Sequence, residues 1–121
     1  MMLTRCMQGK RHVSTLINRV PRARVVAVSS STPSEMEWAR AEPDYIDFGI
    51  TAYDIYEEML EHPGLQAVWV STSTDVHAIQ TIKAVEKGLH VLCEKPLSTN
   101  MDEVSQGEEA QILLGILAYG C

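Results

Sequence analysis

Two stretches decide the fold: Ala67-Val68-Trp69-Val70-Ser71-Thr72-Ser73-Thr74-Asp75-Val76-His77 and Leu89-His90-Val91-Leu92-Cys93-Glu94-Lys95-Pro96. Each opens with a short apolar run and closes on polar residues. Such a run fits a strand buried on both faces. Between them, Thr74 or Asp75 caps a helix that carries Val76, Ile79, Ile82 and Val85 on one side, and Gly88 is its natural left-handed terminator. A strand, a helix and a second buried strand make a parallel unit.

The pattern continues toward the N-terminus. Asp54, with Glu57 three residues on, starts a helix that Pro63-Gly64 closes. Asp47-Phe48-Gly49-Ile50 reads as a weak strand. Thr32-Pro33-Ser34-Glu35 has the form of a capping box with proline at the first helical position, so a helix runs to about Arg40 and ends before Pro43. Val25-Val26-Ala27-Val28 is another buried strand. Val13, Leu16, Ile17 and Val20 fall on one face of a first helix, which Pro21 stops. The apolar centres at Val26, Phe48, Trp69 and Val91 recur about every 22 residues, the pitch of a strand–helix unit. The expected class is α/β, a partial Rossmann-like parallel sheet with helices on both faces. Residues 1–5 are too short and too polar for a buried central strand, so the first strand is expected to be missing. The run at residues 112–118 is apolar and fits helix or strand equally.

Composition narrows the function classes. At 121 residues the chain is shorter than an average domain of about 150. Hydrophobic residues make up 45% and charged residues 21%, as in a globular core-forming protein. Cys6, Cys93 and Cys121 are too few and too scattered for a disulfide framework or a zinc site, so no metal is expected, and their odd number fits a reducing compartment. The apolar runs fall far short of the roughly 20 residues that span a bilayer. The net charge of −6 conceals an asymmetry, because no Asp or Glu precedes Glu35. The basic front reads as a phosphate-meeting surface, a mitochondrial transit segment, or the solvated face of a first helix. The acidic remainder argues against general nucleic-acid binding, which phosphate contacts drive.

Ligands of parallel sheets bind beyond the carboxyl ends of the strands. Ser71, Thr72, Ser73, Thr74 and Asp75 bring hydroxyls and backbone amides to a helix start, a place suited to phosphate or ribose, or else they only cap the helix. His77 faces either the crevice or the helix surface. Glu94 and Lys95 at the next strand end either orient a substrate hydroxyl and assist proton transfer or form an incidental ion pair before Pro96. Ser29 and Ser30 stand where an acid would take the ribose 2′-hydroxyl of NAD; small hydroxyls there admit NADP, or the serines only make a turn.

Over about residues 9–104 the chain resembles the Gfo/Idh/MocA family of NAD(P)-dependent oxidoreductases, which includes glucose–fructose oxidoreductase and inositol 2-dehydrogenase. The resemblance is carried by residues 91–98, similar to the family's strand and Glu-Lys-Pro signature, by residues 71–77, and by Gly9-Lys10-Arg11-His12, similar to the end of its glycine-rich loop. It implies oxidation or reduction of a sugar, polyol or related carbonyl compound with NAD or NADP. It further implies that Gly9, Ser71, Thr72 and His77 line the cofactor site and that Glu94 contacts the cofactor region. Lys95 would assist catalysis beside the nicotinamide, and Pro96 would shape that turn.

The resemblance also sets the expected organisation. Residues 1–8 form a divergent N-terminal remnant, 9–104 a partial dinucleotide-binding domain, and 105–121 a divergent tail. The family's first two loop glycines and its substrate domain, with the acid–base pair, are not matched. The expected function is the nucleotide-binding part of a truncated sugar or polyol dehydrogenase, weak or inactive alone. The rival is a non-catalytic interaction module in which a partner, or residues 112–118, fills the central strand position. A third reading is an incomplete stretch of a longer coding sequence. The expected partners are a nicotinamide dinucleotide, a sugar or polyol substrate in the full-length relative, and a second copy of the chain. No nucleic acid or membrane is expected. The expected location is the cytoplasm, with the mitochondrion as the alternative.

Overall fold

Short β-branched and apolar runs leave both faces of a sheet to be covered, and the amphipathic segments between them supply the cover. A computed structural model describes residues 2–4 and 7–94. The elements alternate as β1 (Met2–Thr4), α1 (Met7–Arg19), β2 (Ala27–Ser29), α2 (Pro33–Ala41), α3 (Pro43–Asp47), β3 (Thr51–Tyr53), α4 (Tyr56–Leu60), β4 (Ala67–Val70), α5 (Thr74–Glu86) and β5 (His90–Cys93). The five strands form one parallel sheet in the order β3-β2-β1-β4-β5.

The expected parallel sheet with helices on both faces is what forms, but its first strand is present. β1 occupies the centre, with Leu3 opposite Val28 on one side and Trp69 on the other. Its three residues suffice because β2 and β3 are also three residues long. A strand bonded on both edges is held by its ladder, so length and apolar content understate it. No central gap remains for a partner or for residues 112–118 to fill. Those residues lie outside the described residues.

Each face has its own core. One face packs Val13, Leu16, Val28, Met36, Ala39 and Tyr45 from α1, α2 and α3 and the sheet. The other packs Tyr56, Met59, Val68, Val70, Ala84 and Val85 around α4 and α5. The strand expected around Phe48 begins instead at Thr51. Pro43 starts a second short helix after an extended Glu42, as a residue before proline prefers. Phe48 becomes the C-cap of that helix and is 51% exposed. Gly49 then turns the chain into β3 at φ +67°.

Helix α5 is rotated from its expected face. It buries His77, Ala78, Thr81, Ala84 and Val85, while Ile79 is 48% exposed. Small side chains let the crossover helix lie close on the sheet. Gly88 ends it at φ +77°, as expected.

Candidate functional site

The chain winds from β1 outward through β2 and β3, then crosses back to β4 on the other side of β1. That reversal is the topological switch point of an open parallel sheet, where a crevice opens beyond the carboxyl ends. A crevice of about 290 Å³ lies at these ends, lined by Ser29 at the end of β2 with Ser30 and Ser31 after it, Thr72 and Ser73 after β4, and Asp54 and Tyr56 after β3. A second, shallow pocket lies on the α1–α2 side and shares Ser29 and Ser30; Gly9, Lys10, Glu35 and Trp38 complete its polar and aromatic rim.

Thr32 was expected to cap α2 with its own side chain. It makes no side-chain cap bond. At the strand end, Ser30 Oγ donates to Glu35 Oε2 at 2.5 Å and accepts from the Thr32 N–H at 3.1 Å. Thr32 remains the N-cap residue, and the buried Ser30 links its N–H to the Glu35 side chain in the first turn of α2.

After β4, the loop is tied to its own helix. Thr72 Oγ1 donates to Gln80 Oε1 at 2.7 Å. His77 is 2% exposed and its Nε2 lies 2.8 Å from the Thr72 carbonyl. A carbonyl only accepts, so Nε2 carries the proton in this contact. His77 therefore holds the shape of the Thr72 turn from beneath. Ser71 is buried at the same strand end. Tyr56 OH donates to the Gln80 carbonyl at 2.8 Å, which closes the floor of the crevice. Burial, aided by the neighbouring Glu57 carboxylate, pushes the Tyr56 phenol well above its ordinary range, so this hydroxyl stays a donor at any working pH.

Glu94 follows β5, and its backbone N–H donates to the Val70 carbonyl at 2.8 Å. Its Oε1 stands 3.0 Å from Nε2 of His12 in α1, a separation without good hydrogen-bond alignment. The His12 ring stacks on Trp69 of β4 with centroids 4.0 Å apart and planes at 26°. The first helix, the central sheet and the end of β5 thus meet at one point. No local pattern joins His12 to Trp69, because their contact spans elements 57 residues apart in the numbering. Lys95 and Pro96 lie outside the described residues. Among the described residues, no three His, Cys, Asp or Glu side chains gather into a metal site, and no helix is long and apolar enough to cross a membrane.

The donor set fits a dinucleotide. Hydroxyls and amides at the start of α5 suit phosphate oxygens. The hydroxyl groups at the end of β2 suit a ribose. The fold and crevice define a dinucleotide-binding domain of the Rossmann class. Over residues 5–111 the chain matches the Gfo/Idh/MocA oxidoreductase family, NAD-binding Rossmann fold, and it belongs to that family.

Its relatives act on different substrates. It is 33% identical over 111 residues to a scyllo-inositol 2-dehydrogenase (NAD(+)) of Bacillus subtilis, covering 90% of this chain and 31% of the relative. It is 43% identical over 68 residues to a D-xylose 1-dehydrogenase (NADP(+)) of Haloferax volcanii, covering 55% of this chain and 21% of the relative. The crystal structure of a myo-inositol 2-dehydrogenase from Lactobacillus plantarum superimposes with a TM-score of 0.81 at 27% identity, covering 93% of this chain and 32% of that one. The chain therefore spans about a third or less of these relatives.

Proposed function

We propose that this chain is the dinucleotide-binding part of a nicotinamide-dependent dehydrogenase that acts on the CH–OH groups of a sugar or polyol. The observation that carries this reading is the crevice at the switch point of the sheet, walled by the ends of β2 and β4. In this reading Gly9, at the start of α1, lets the backbone approach the pyrophosphate. Ser71 and Thr72 present the β4 loop to it, with His77 holding that loop in shape. Ser29 and Ser30 border the adenosine ribose. Glu94 closes the cofactor region against His12. Pro96 turns the chain, and Lys95 carries the proton-transfer role toward a substrate hydroxyl. The nicotinamide, when bound, supplies or accepts the hydride. Support for Lys95 and Pro96 comes from the family motif at residues 91–98. The relatives named for inositol and xylose support the polyol or sugar class.

The substrate-binding part of such an enzyme has no counterpart in residues 9–104, so this stretch alone is expected to turn over little or no polyol. The odd cysteine count supports a reducing, cytoplasmic setting. Thermal unfolding with and without NADH or NADPH tests the reading. A ligand at about a hundredfold its dissociation constant stabilises by about 2.7 kcal/mol, which raises the midpoint by several degrees. An unchanged midpoint with both cofactors refutes dinucleotide binding. Saturable turnover that Lys95→Ala abolishes would refute the inactivity of this stretch alone. Light scattering on the same sample reads whether the chain pairs with a second copy.

A further inference from the structure

Sequence places no acid at the carboxyl end of β2, where this class of sheet uses one to hold the ribose 2′-hydroxyl. Folding brings one there from another element. Glu35 lies in the first turn of α2, and its Oε2 accepts from Ser30 Oγ at 2.5 Å. Ser30 has a single donor, committed to that carboxylate, while its oxygen accepts from the Thr32 N–H at 3.1 Å. The carboxylate is therefore clamped against the strand end and lines the shallow pocket beside Gly9 and Ser29. A carboxylate has room for about four hydrogen bonds, so the Ser30 bond leaves it able to accept from a ribose diol.

Lys10 lines the same pocket and is the competing feature, because a cation favours a 2′-phosphate. Its ammonium sits 3.7 Å from the centre of the Trp38 ring, engaged with the aromatic face. A 2′-phosphate at the end of β2 would stand beside the fixed Glu35 charge, whereas a free hydroxyl would donate to it. We infer that Glu35 is the specificity-determining residue for the adenosine ribose, selecting NAD(H) over the 2′-phosphorylated cofactor, with Ser30 as its positioning residue. The inference rests on the dinucleotide reading above.

Calorimetric titration of the whole chain with NADH and with NADPH tests it. The native chain is expected to bind NADH about tenfold or more tightly than NADPH. Glu35→Gln keeps the shape and can still accept from Ser30, but removes the charge. It is expected to weaken NADH, strengthen NADPH and shrink their ratio by about tenfold. Ser30→Ala frees the carboxylate and is expected to shrink the ratio less; it carries the test if circular dichroism shows Glu35→Gln unfolded. Binding of both cofactors at a ratio that neither variant changes overturns the assignment and leaves the proposed function standing. A preference for NADPH that Lys10→Met abolishes overturns it in favour of Lys10. Binding of neither cofactor by the folded native chain overturns both readings.

Discussion

His12 shows how one side chain can join three elements. Its ring lies on Trp69 in the sheet and its Nε2 meets the Glu94 carboxylate after β5. A stacked aromatic pair adds about 0.5–1.5 kcal/mol beyond the area it buries. His12→Ala is therefore expected to lower stability by about 1–2 kcal/mol in urea unfolding, with His12→Phe recovering the stacking part. Equal losses in both variants would assign the effect to the Glu94 contact instead. Nothing in the spacing of residues 12, 69 and 94 announces this meeting, whereas Ser71, Thr72 and Glu94 were legible as strand-end residues. The strand ends are set by local pattern. Their partners are set by how α1 lies across the sheet.

At the scale of elements, α4 and α5 are joined by a core and by two exposed ion pairs, Lys83 with Glu57 and Lys87 with Glu61. The hydrogen bond from Lys83 holds the Glu57 carboxyl below the usual carboxylate range. A lowered folded-state value means that the pair's stabilisation is present above the unfolded value and is lost as pH falls through the folded one. Lys83→Met is expected to flatten the acid limb of a stability–pH curve, measured by urea midpoints between about pH 3 and pH 6. The change will be small, because exposed pairs contribute about 0–1 kcal/mol. A curve that keeps its slope would show the pair to be energetically idle. The existence and limits of α5 were readable from its caps and Gly88. Its rotation was not, because Ile79 and Ile82 outweigh Ala78, Thr81 and Ala84 in apolar periodicity, while close packing on a sheet favours the small residues.

The whole molecule depends on a strand of three residues. β1 joins the β2–β3 half of the sheet to the β4–β5 half, with Leu3 paired to both Val28 and Trp69. Leu3→Pro removes the strand's central N–H and is tolerated only at sheet edges. The variant is expected to lose the cooperative thermal transition seen by circular dichroism. A transition matching the native chain would remove β1 from the centre of the sheet. The same strand explains why the switch-point crevice exists at all. Without β1, the two halves and their serine-lined ends would have no fixed separation.

The sequence by itself determined the alternation of strands and helices, the parallel class, the strand-end positions of Ser29, Ser71 and Glu94, and the family. These follow from period, caps and motif, which act within a few residues. Only the tertiary structure decided that Met2–Thr4 is the central strand, that α5 turns its small residues inward, and that Glu35 meets Ser30 at the end of β2 while His12 meets Glu94 after β5. Backbone ladders, close packing and long-range contacts have no period in the chain. They appear only when distant segments are brought together.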